Sequence, residues 1–271
     1  MEKKFKLGVI GAGFMASAII NGAIRSGFLS VEDICVSDIN KDALNKLFNK
    51  GITVTSDNAD VFNSAEYVLL AIKPQNFQSA VSGIGEFFCS KVISIMAGVK
   101  KDSIKSTLNK KGLKVVRCMP NTPCSVGNGA VGIDAGDFDC EQDKIFVKDL
   151  FSSFAKIVFL EENKLNAVTG ISGSSPAYFY LFIKCLTDAG VKCGLNEEDA
   201  KNLAVNTMIG SGKMILKNSD KSLDNLIAAV CSKGGTTLEA IKVFNERNLH
   251  DITDEAVAAC VKRAEELEKI I

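Results

Sequence analysis

Residues 7–16, Leu-Gly-Val-Ile-Gly-Ala-Gly-Phe-Met-Ala, run from a buried-strand pattern straight into a glycine turn, and Ser17 to Ser26 then has helical spacing. The turn has the form G-x-G-x-x-A between a strand and a helix. Gly11 permits the tight turn, Gly13 lets bare backbone approach a pyrophosphate, and Ala16 lets the helix lie close on the strand, with the first helical N–H groups facing the anion. The pattern points to a dinucleotide and so to redox chemistry. Glycine turns also arise from packing alone, so the place of this one at the start of the sequence and the acid at Asp38 are what give it weight.

Short apolar runs then alternate with helical patterns: Leu7 to Ile10, Ile34 to Ser37, Ile52 to Thr55, Tyr67 to Ile72, Val92 to Ile95, Val115 to Cys118, Ala130 to Ile133 and Ile157 to Leu160. Such alternation predicts βαβ units around a mainly parallel, doubly wound sheet. Gly27 and Gly51 are placed to end the first two helices, Asp38 or Asn40 to open the second, and Asp102 to open another near Ser103. After about Glu161 the strand pattern stops. Ala177 to Ala189, Glu197 to Leu216, Ser222 to Val230, Thr237 to Asn245 and Asp254 to Ile271 have helical spacing, the last opened by Thr253-Asp254-Glu255. The expected class is therefore α/β, with a dinucleotide-binding domain over 1–161 and an all-helical domain over 162–271. Several of the later helices are apolar on more than one face, as Val205, Met208, Ile209, Met214, Ile215 and Leu216 show, and an intertwined dimer accounts for that.

The charge balance, Lys+Arg 32 against Asp+Glu 32, leaves no polybasic face for nucleic acid or an anionic membrane. No apolar run reaches the eighteen or so residues of a membrane span. Nine Cys occur without a C-x-x-C pair, a His cluster or a secretory leader after Met1-Glu2-Lys3-Lys4, so reduced thiols in a cytoplasm are expected, with no metal site and with Cys35, Cys185 and Cys260 as small core residues. The single His, His250, sits in a polar stretch, which makes chemistry built on a His base improbable.

Ligands of open α/β sheets lie beyond the carboxyl ends of the strands, so the loops there carry the candidates. In Ser37-Asp38-Ile39-Asn40-Lys41 the acid can accept from adenosine ribose hydroxyls and repel a 2′-phosphate, whereas Asn40 and Lys41 can grip that phosphate; Asp38 or Asn40 can equally cap the next helix. The choice between NADH and NADPH stays open. Ala71-Ile72-Lys73-Pro74 presents backbone where a nicotinamide ribose would lie, Met96-Ala97-Gly98 suits close approach of a flat ring, and Arg117 to Pro123 sets two prolines about Asn121. In the helical half, Thr169 to Tyr178 packs small residues before a helix, read first as a tight helix contact. Ser232-Lys233-Gly234-Gly235-Thr236-Thr237 does the same, and consecutive N–H groups at a Gly-Gly helix opening form a carboxylate nest with the Thr237 hydroxyl beside it.

Through the N-terminal fingerprint, Ala71 to Pro74, Arg117 to Pro123, Thr169 to Tyr178 and Gly234 to Thr237, the chain resembles the pyrroline-5-carboxylate reductases nearly end to end. The resemblance implies a Rossmann-type domain that binds NADPH or NADH, a helical domain that makes a homodimer, and higher assembly up to a decamer of dimers. It implies that Ile10, Gly11, Ala12, Gly13, Phe14, Met15, Asp38, Asn58, Ala71, Ile72, Lys73, Pro74, Met96 and Ala97 face the cofactor, and that Asp220, Ser232, Gly234, Gly235, Thr236 and Thr237 lie at the substrate. Two departures stand out: Lys233 where the family usually has Pro, and Leu226-Ile227-Ala228 where it usually has Leu-Lys-Asp.

The implied substrate is a five-membered cyclic imine carboxylate, reduced to proline by hydride transfer. A protonated imine is already electrophilic, so holding it matters more than a strong acid, which suits a chain with one His. The expected roles are Gly234-Gly235-Thr236 amides on the carboxylate and the Thr237 hydroxyl on the ring nitrogen. The competing readings are a β-hydroxyacid dehydrogenase using Lys184 and a diverged, non-catalytic NAD(P)-binding dimer.

Overall fold

A computed structural model describes residues 4–85, 89 and 91–269. The described residues fall into two compact units, those within 4–174 together with 260–269, and 175–259. The short helical segments after the last strand, and the described residues from 260 on, pack with the sheet.

The first unit holds β1 (Phe5–Ile10), β2 (Ile34–Ser37), β3 (Thr53–Thr55), β4 (Ala65–Leu70), β5 (Lys91–Ser94), β6 (Lys114–Pro120), β7 (Gly129–Asp134) and β8 (Ala155–Phe159) in one sheet of order β3-β2-β1-β4-β5-β6-β7-β8. Between them run α1 (Phe14–Arg25), α2 (Lys41–Phe48), α3 (Asn58–Ser64), α4 (Phe77–Val81), α5 (Lys101–Leu108) and α6 (Glu141–Ser152), with the short α7 (Leu165–Val168) after β8. All eight expected strands are present, and the class is α/β. The central strands are buried on both faces, which is why they read as unbroken apolar runs: Tyr67, Leu69, Ile93 and Val116 enter one core cluster and Val68, Leu70, Val92 and Val115 the other. β7 runs antiparallel to β6, because the few residues between them are too short for a parallel crossover.

The start of α5 differs from expectation, and that of α2 takes one of the two caps expected. α5 begins at Lys101, with Lys100 rather than Asp102 at its cap. α2 is capped by Asn40, whose Oδ1 accepts from the Asp42 and Ala43 amides at 3.0 and 3.2 Å.

At the amino ends of the strands, Lys6, Glu66, Lys91 and Asp143 alternate in sign. Lys6 pairs with Glu66 at 2.7 Å and Lys91 with both Glu66 at 3.2 Å and Asp143 at 2.7 Å. The Tyr67 hydroxyl donates to Asp143, and its ring stacks on Phe146 at 3.9 Å. Burial, with Asp143 beside it, pushes the Tyr67 hydroxyl well above its ordinary range. This network ties β1, β4, β5 and α6 together at the edge remote from the ligand-facing loops.

The second unit contains α8 (Ser175–Lys192), α9 (Glu197–Lys217), α10 (Leu223–Val230), α11 (Thr236–Glu246) and the start of α12 (Leu249–Glu268), whose last turns belong to the first unit. Gly190 lets α8 approach α9 closely, since a Cβ there would stand 2.9 Å from that of Ala200. The Phe182 and Phe244 rings lie 6.3 Å apart. Little else is covered: α10 and α11 bury no residue, and Tyr180 and Leu181 are 65% and 63% exposed. Cys185 is exposed too, not a core residue of this chain, while Cys35 is buried and its thiol pushed up to about 11 by burial.

α12 starts at Leu249, four residues before the Thr253-Asp254-Glu255 signal. Asn248, at φ +54°, breaks the chain, and the Thr253 hydroxyl donates back to the Leu249 carbonyl at 2.7 Å instead of capping. His250 thereby falls in the first turn of a helix. Ile270 and Ile271, expected to end this helix, lie outside the described residues. No helix among the described residues is long and apolar enough to cross a membrane.

Candidate active site

The strand order reverses between β1 and β4, and register brings the strand ends there to one level. Ile10 stands opposite both Ser37 and Leu70, and Leu70 opposite Ser94. The loops starting at Gly11, Asp38, Ala71 and Ile95 therefore leave the sheet along a single edge, the crevice at which open α/β sheets take ligands. The ladder continues one residue further: Gly11 N donates to the Ser37 carbonyl at 2.7 Å, Ala71 N to Ile10 at 2.9 Å and Ile95 N to Leu70 at 3.1 Å.

Gly11 is required twice over. Its φ is +102°, and a Cβ would stand 2.6 Å from the Ala71 carbonyl oxygen. Gly13 has open space where a Cβ would point and caps α1 in extended geometry without any side-chain acceptor. The first-turn amides of α1 are thus left to an outside anion, and bare backbone lines its approach. Ala16 is fully buried against the sheet, as expected. Phe14 is 64% exposed and Met15 half-buried.

Asp38 is fixed from two sides: Oδ2 accepts from the Ala12 amide at 2.5 Å and Oδ1 from the Asn40 amide at 2.7 Å. The acid braces the glycine turn, and Asn40, not Asp38, caps α2. Asn58 is equally occupied. Its Oδ1 accepts from the buried Ser37 hydroxyl at 2.6 Å and its Nδ2 donates to the Ala80 carbonyl at 2.7 Å, so it joins the end of β2 to α4. Beyond the turn, a cavity of about 480 Å³ lies between α1 and α2, lined by Gly13, Asn40, Lys46 and Lys50 among others.

Across the edge, Lys73 is exposed and extended (φ −67°, ψ 140°) before Pro74 opens a 3₁₀ turn. Ile72 packs beside Gly11. Met96 is buried, its amide donating to Ser94 Oγ at 3.3 Å, and Ala97 is half-buried. The next residue, Gly98, lies against Leu267 of α12.

Sequence reasoning missed what supports that loop. Arg117, 4% exposed on β6, pairs with Glu162 at 3.0 Å and with Glu268 at 3.8 Å. Glu268 also reaches Lys100 at 3.3 Å, and Glu162 accepts from the Lys101 amide at 2.8 Å. Lys101 and Lys105 pair with Asp137, and burial of that carboxylate is outweighed by the Lys105 hydrogen bond, which holds it below its ordinary range. An arginine in a strand otherwise apolar was the one available signal. Asn121, between its two prolines, is structural: its Oδ1 accepts from Ala130 N at 2.9 Å and holds β7 in place.

In the helical unit, Gly234 has φ +74° and Gly235 caps α11 with no side-chain acceptor. Gly235 N donates to the Ser232 carbonyl at 2.9 Å, and a Cβ on Gly235 would stand 2.5 Å from Ser232 Oγ, so glycine alone suits this turn. Ser232, Lys233, Gly234, Thr236 and Thr237 are exposed, as is Asp220 in the turn after α9. The opening of α11 therefore presents first-turn amides and the Thr237 hydroxyl on one exposed helix end. The earlier small-residue cluster, read as a tight helix contact, is closely packed at Gly173. Thr169–Gly173 forms a π-helical turn, and a Cβ on Gly173 would meet Met119 Cε at 2.9 Å. Lys184 is exposed and paired with Asp188 at 2.6 Å one turn along α8.

Comparison with known proteins agrees in both halves. A family model described as pyrroline-5-carboxylate reductase dimerisation matches residues 162–267, and one described as NADP oxidoreductase, coenzyme F420-dependent, matches residues 6–98. The pyrroline-5-carboxylate reductase of Vibrio alginolyticus is 36% identical over 275 residues, covering all of both chains, and that of Arabidopsis thaliana is 34% identical, covering 98% of this chain and 96% of the plant protein. The crystal structure of Plasmodium falciparum pyrroline carboxylate reductase with NADP bound superposes with a TM-score of 0.87 at 30% identity, covering 98% of this chain and 100% of that one. The Coxiella burnetii pyrroline-5-carboxylate reductase gives 0.87 at 32% identity, covering 98% and 99%. With such likeness across its whole length, the chain belongs to the pyrroline-5-carboxylate reductase family.

Proposed function

We propose that the protein reduces 1-pyrroline-5-carboxylate to L-proline with NADPH or NADH, working as a homodimer through its helical unit, with further assembly up to a decamer of dimers, in the cytoplasm. The observation that carries this reading is the glycine turn after β1, closed at Gly11 by the Ala71 carbonyl and open at Gly13, in a chain of this family. A dinucleotide fits that cradle. Residues 10–15 would hold its pyrophosphate, Asp38 and Asn58 would border the adenosine half, and Ala71 to Pro74 with Met96-Ala97 would flank the nicotinamide half. When bound, the coenzyme supplies a hydride.

The rest falls to the chain's own residues. The amides of Gly234 and Thr236 bind the substrate carboxylate, while Gly235, its own amide held by the Ser232 carbonyl, shapes the turn; Ser232 and Asp220 border the carboxylate, and the Thr237 hydroxyl accepts from the protonated ring nitrogen and fixes the C=N plane. Lys233 adds a positive charge beside the nest in a turn that lacks proline's rigidity. Functionally, 1–161 would carry the coenzyme and 162–271 the substrate and the dimer contact.

Thr237→Ala is expected to lower kcat with the cyclic imine by about a hundredfold while NADH affinity, measured by calorimetry, stays within twofold or so of the parent. An unchanged kcat would remove Thr237 from the mechanism, and absence of imine reduction by the parent chain would remove the reading altogether.

A further inference from the structure

We propose that Asp38 makes this chain select NADH over NADPH. The inference rests on the reading that a nicotinamide dinucleotide lies along the β1–β4 edge, and it concerns which of the two that edge accepts. β2 ends at Ser37, level with Ile10, so Asp38 is the first residue to emerge beside the glycine turn. Any adenosine carried by a pyrophosphate at Gly13 sets its ribose there.

The carboxylate cannot swing aside, because amides from two different segments, Ala12 and Asn40, hold one oxygen each. A carboxylate offers about four acceptor positions. The remaining two accept from vicinal ribose hydroxyls in a bidentate arrangement whose geometry is set before the ligand arrives. A 2′-phosphate would replace one of those donors with a dianion against a half-buried negative group, where repulsion is stronger than in open water.

The opposing possibility, a phosphate gripped by the residues that follow, loses its backbone donors to hydrogen bonds within that turn. Asn40 Oδ1 already accepts from the Asp42 and Ala43 amides, so the first turn of α2 has no free donors at those positions. Asp42 adds a second negative charge to the first turn of α2. Lys46 in α2 and Lys50 in the turn after it line the neighbouring cavity, and Lys50 donates to Asn21 at 2.8 Å. No arginine occurs between Asp38 and Lys50 to offer the planar fork that matches a phosphate. Ile39, 94% exposed, instead presents an apolar face beside the ribose position, suited to adenine.

The test is equilibrium binding, by calorimetry or by quenching of reduced-nicotinamide fluorescence, with NADH and NADPH on the full-length protein. Wild-type protein is expected to bind NADH at least about tenfold more tightly than NADPH. Asp38→Asn should weaken NADH and strengthen NADPH, reducing that ratio by about tenfold, with circular dichroism and melting temperature checking the fold. Should Asp38→Asn not fold, Ile39→Arg leaves the brace intact and should tighten NADPH while NADH holds. Equal or tighter binding of NADPH by the wild type, or a ratio unmoved by either variant, overturns the assignment. If neither dinucleotide binds, the coenzyme reading itself falls, and this one with it.

Discussion

The two units of this chain use apolar residues in opposite ways. In the first, Leu7, Val9, Val68, Leu69 and Val92 are all fully buried in a sheet covered by its own helices. In the second, Phe179, Tyr180, Leu181, Leu203, Leu216 and Val230 are each more than half exposed, and two helices bury nothing. One unit completes its core from its own sequence. The other lacks the far side of its core, and covering large side chains of this kind is worth about 1.5–3 kcal/mol each. A second copy would supply that cover, in keeping with the dimerisation family matched by residues 162–267. The stability of the sheet unit should then be independent of protein concentration and that of the helical unit should rise with it.

The contrast can be broken most directly by a charge on the exposed helical face. Leu181→Glu is expected to split the assembly, since a carboxylate facing an apolar partner costs several kcal/mol, and sedimentation velocity at micromolar protein should return the monomer mass. A wild-type chain that is already monomeric, or a variant that keeps the parent's mass, would erase the distinction. The paired experiment in the sheet is Leu69→Ala, which should cost about 2–5 kcal/mol in denaturant unfolding and leave the mass unchanged. Next comes the site itself: Gly11→Ala meets both the positive φ and the Ala71 carbonyl, so about 1–3 kcal/mol of strain should appear in unfolding, with dinucleotide binding weakened in the same titration.

The smallest effect is in acid. Burial alone would raise Glu66, but hydrogen bonds from Lys6 and Lys91 hold it below its ordinary range; Asp137 is held low by Lys105 in the same way. Carboxyls with depressed values stabilise the fold above their unfolded values and lose that contribution as pH falls through the folded ones. The melting temperature of the sheet unit should therefore drop progressively below about pH 4.5. Asp137→Asn should flatten that drop by about 1 kcal/mol; an unaltered profile would mean these pairs contribute nothing.

The inner strands were legible because a strand flanked on both sides and covered on both faces must be largely apolar, whereas the edge strands β3 and β8, only partly covered, were read from short runs of β-branched and apolar residues. Direction was not. β7 reads like its neighbours, and only the short connection from β6 decides that it runs the other way. Local signals also misled where two competed: Thr253-Asp254-Glu255 has the look of a helix start, yet the left-handed Asn248 had already opened α12. In the site, Gly11 was legible from type and spacing alone. The bond between Asp38 and the Ala12 amide was not, because nothing local in the sequence says which of several donors a carboxylate will choose. Arg117, Glu162 and Glu268 escaped for the same reason, being brought together only by the fold.

The bracing of the glycine turn by Asp38 also bears on speed. A loop held in its working shape by a side chain from the next strand has no ordering step to complete when a guest arrives. Association should then be governed by diffusion and local charge, not by closure of the turn. Coenzyme exchange between turnovers would be limited by how readily the spent molecule lets go, so a tighter grip at this corner would slow cycling as surely as it improved capture.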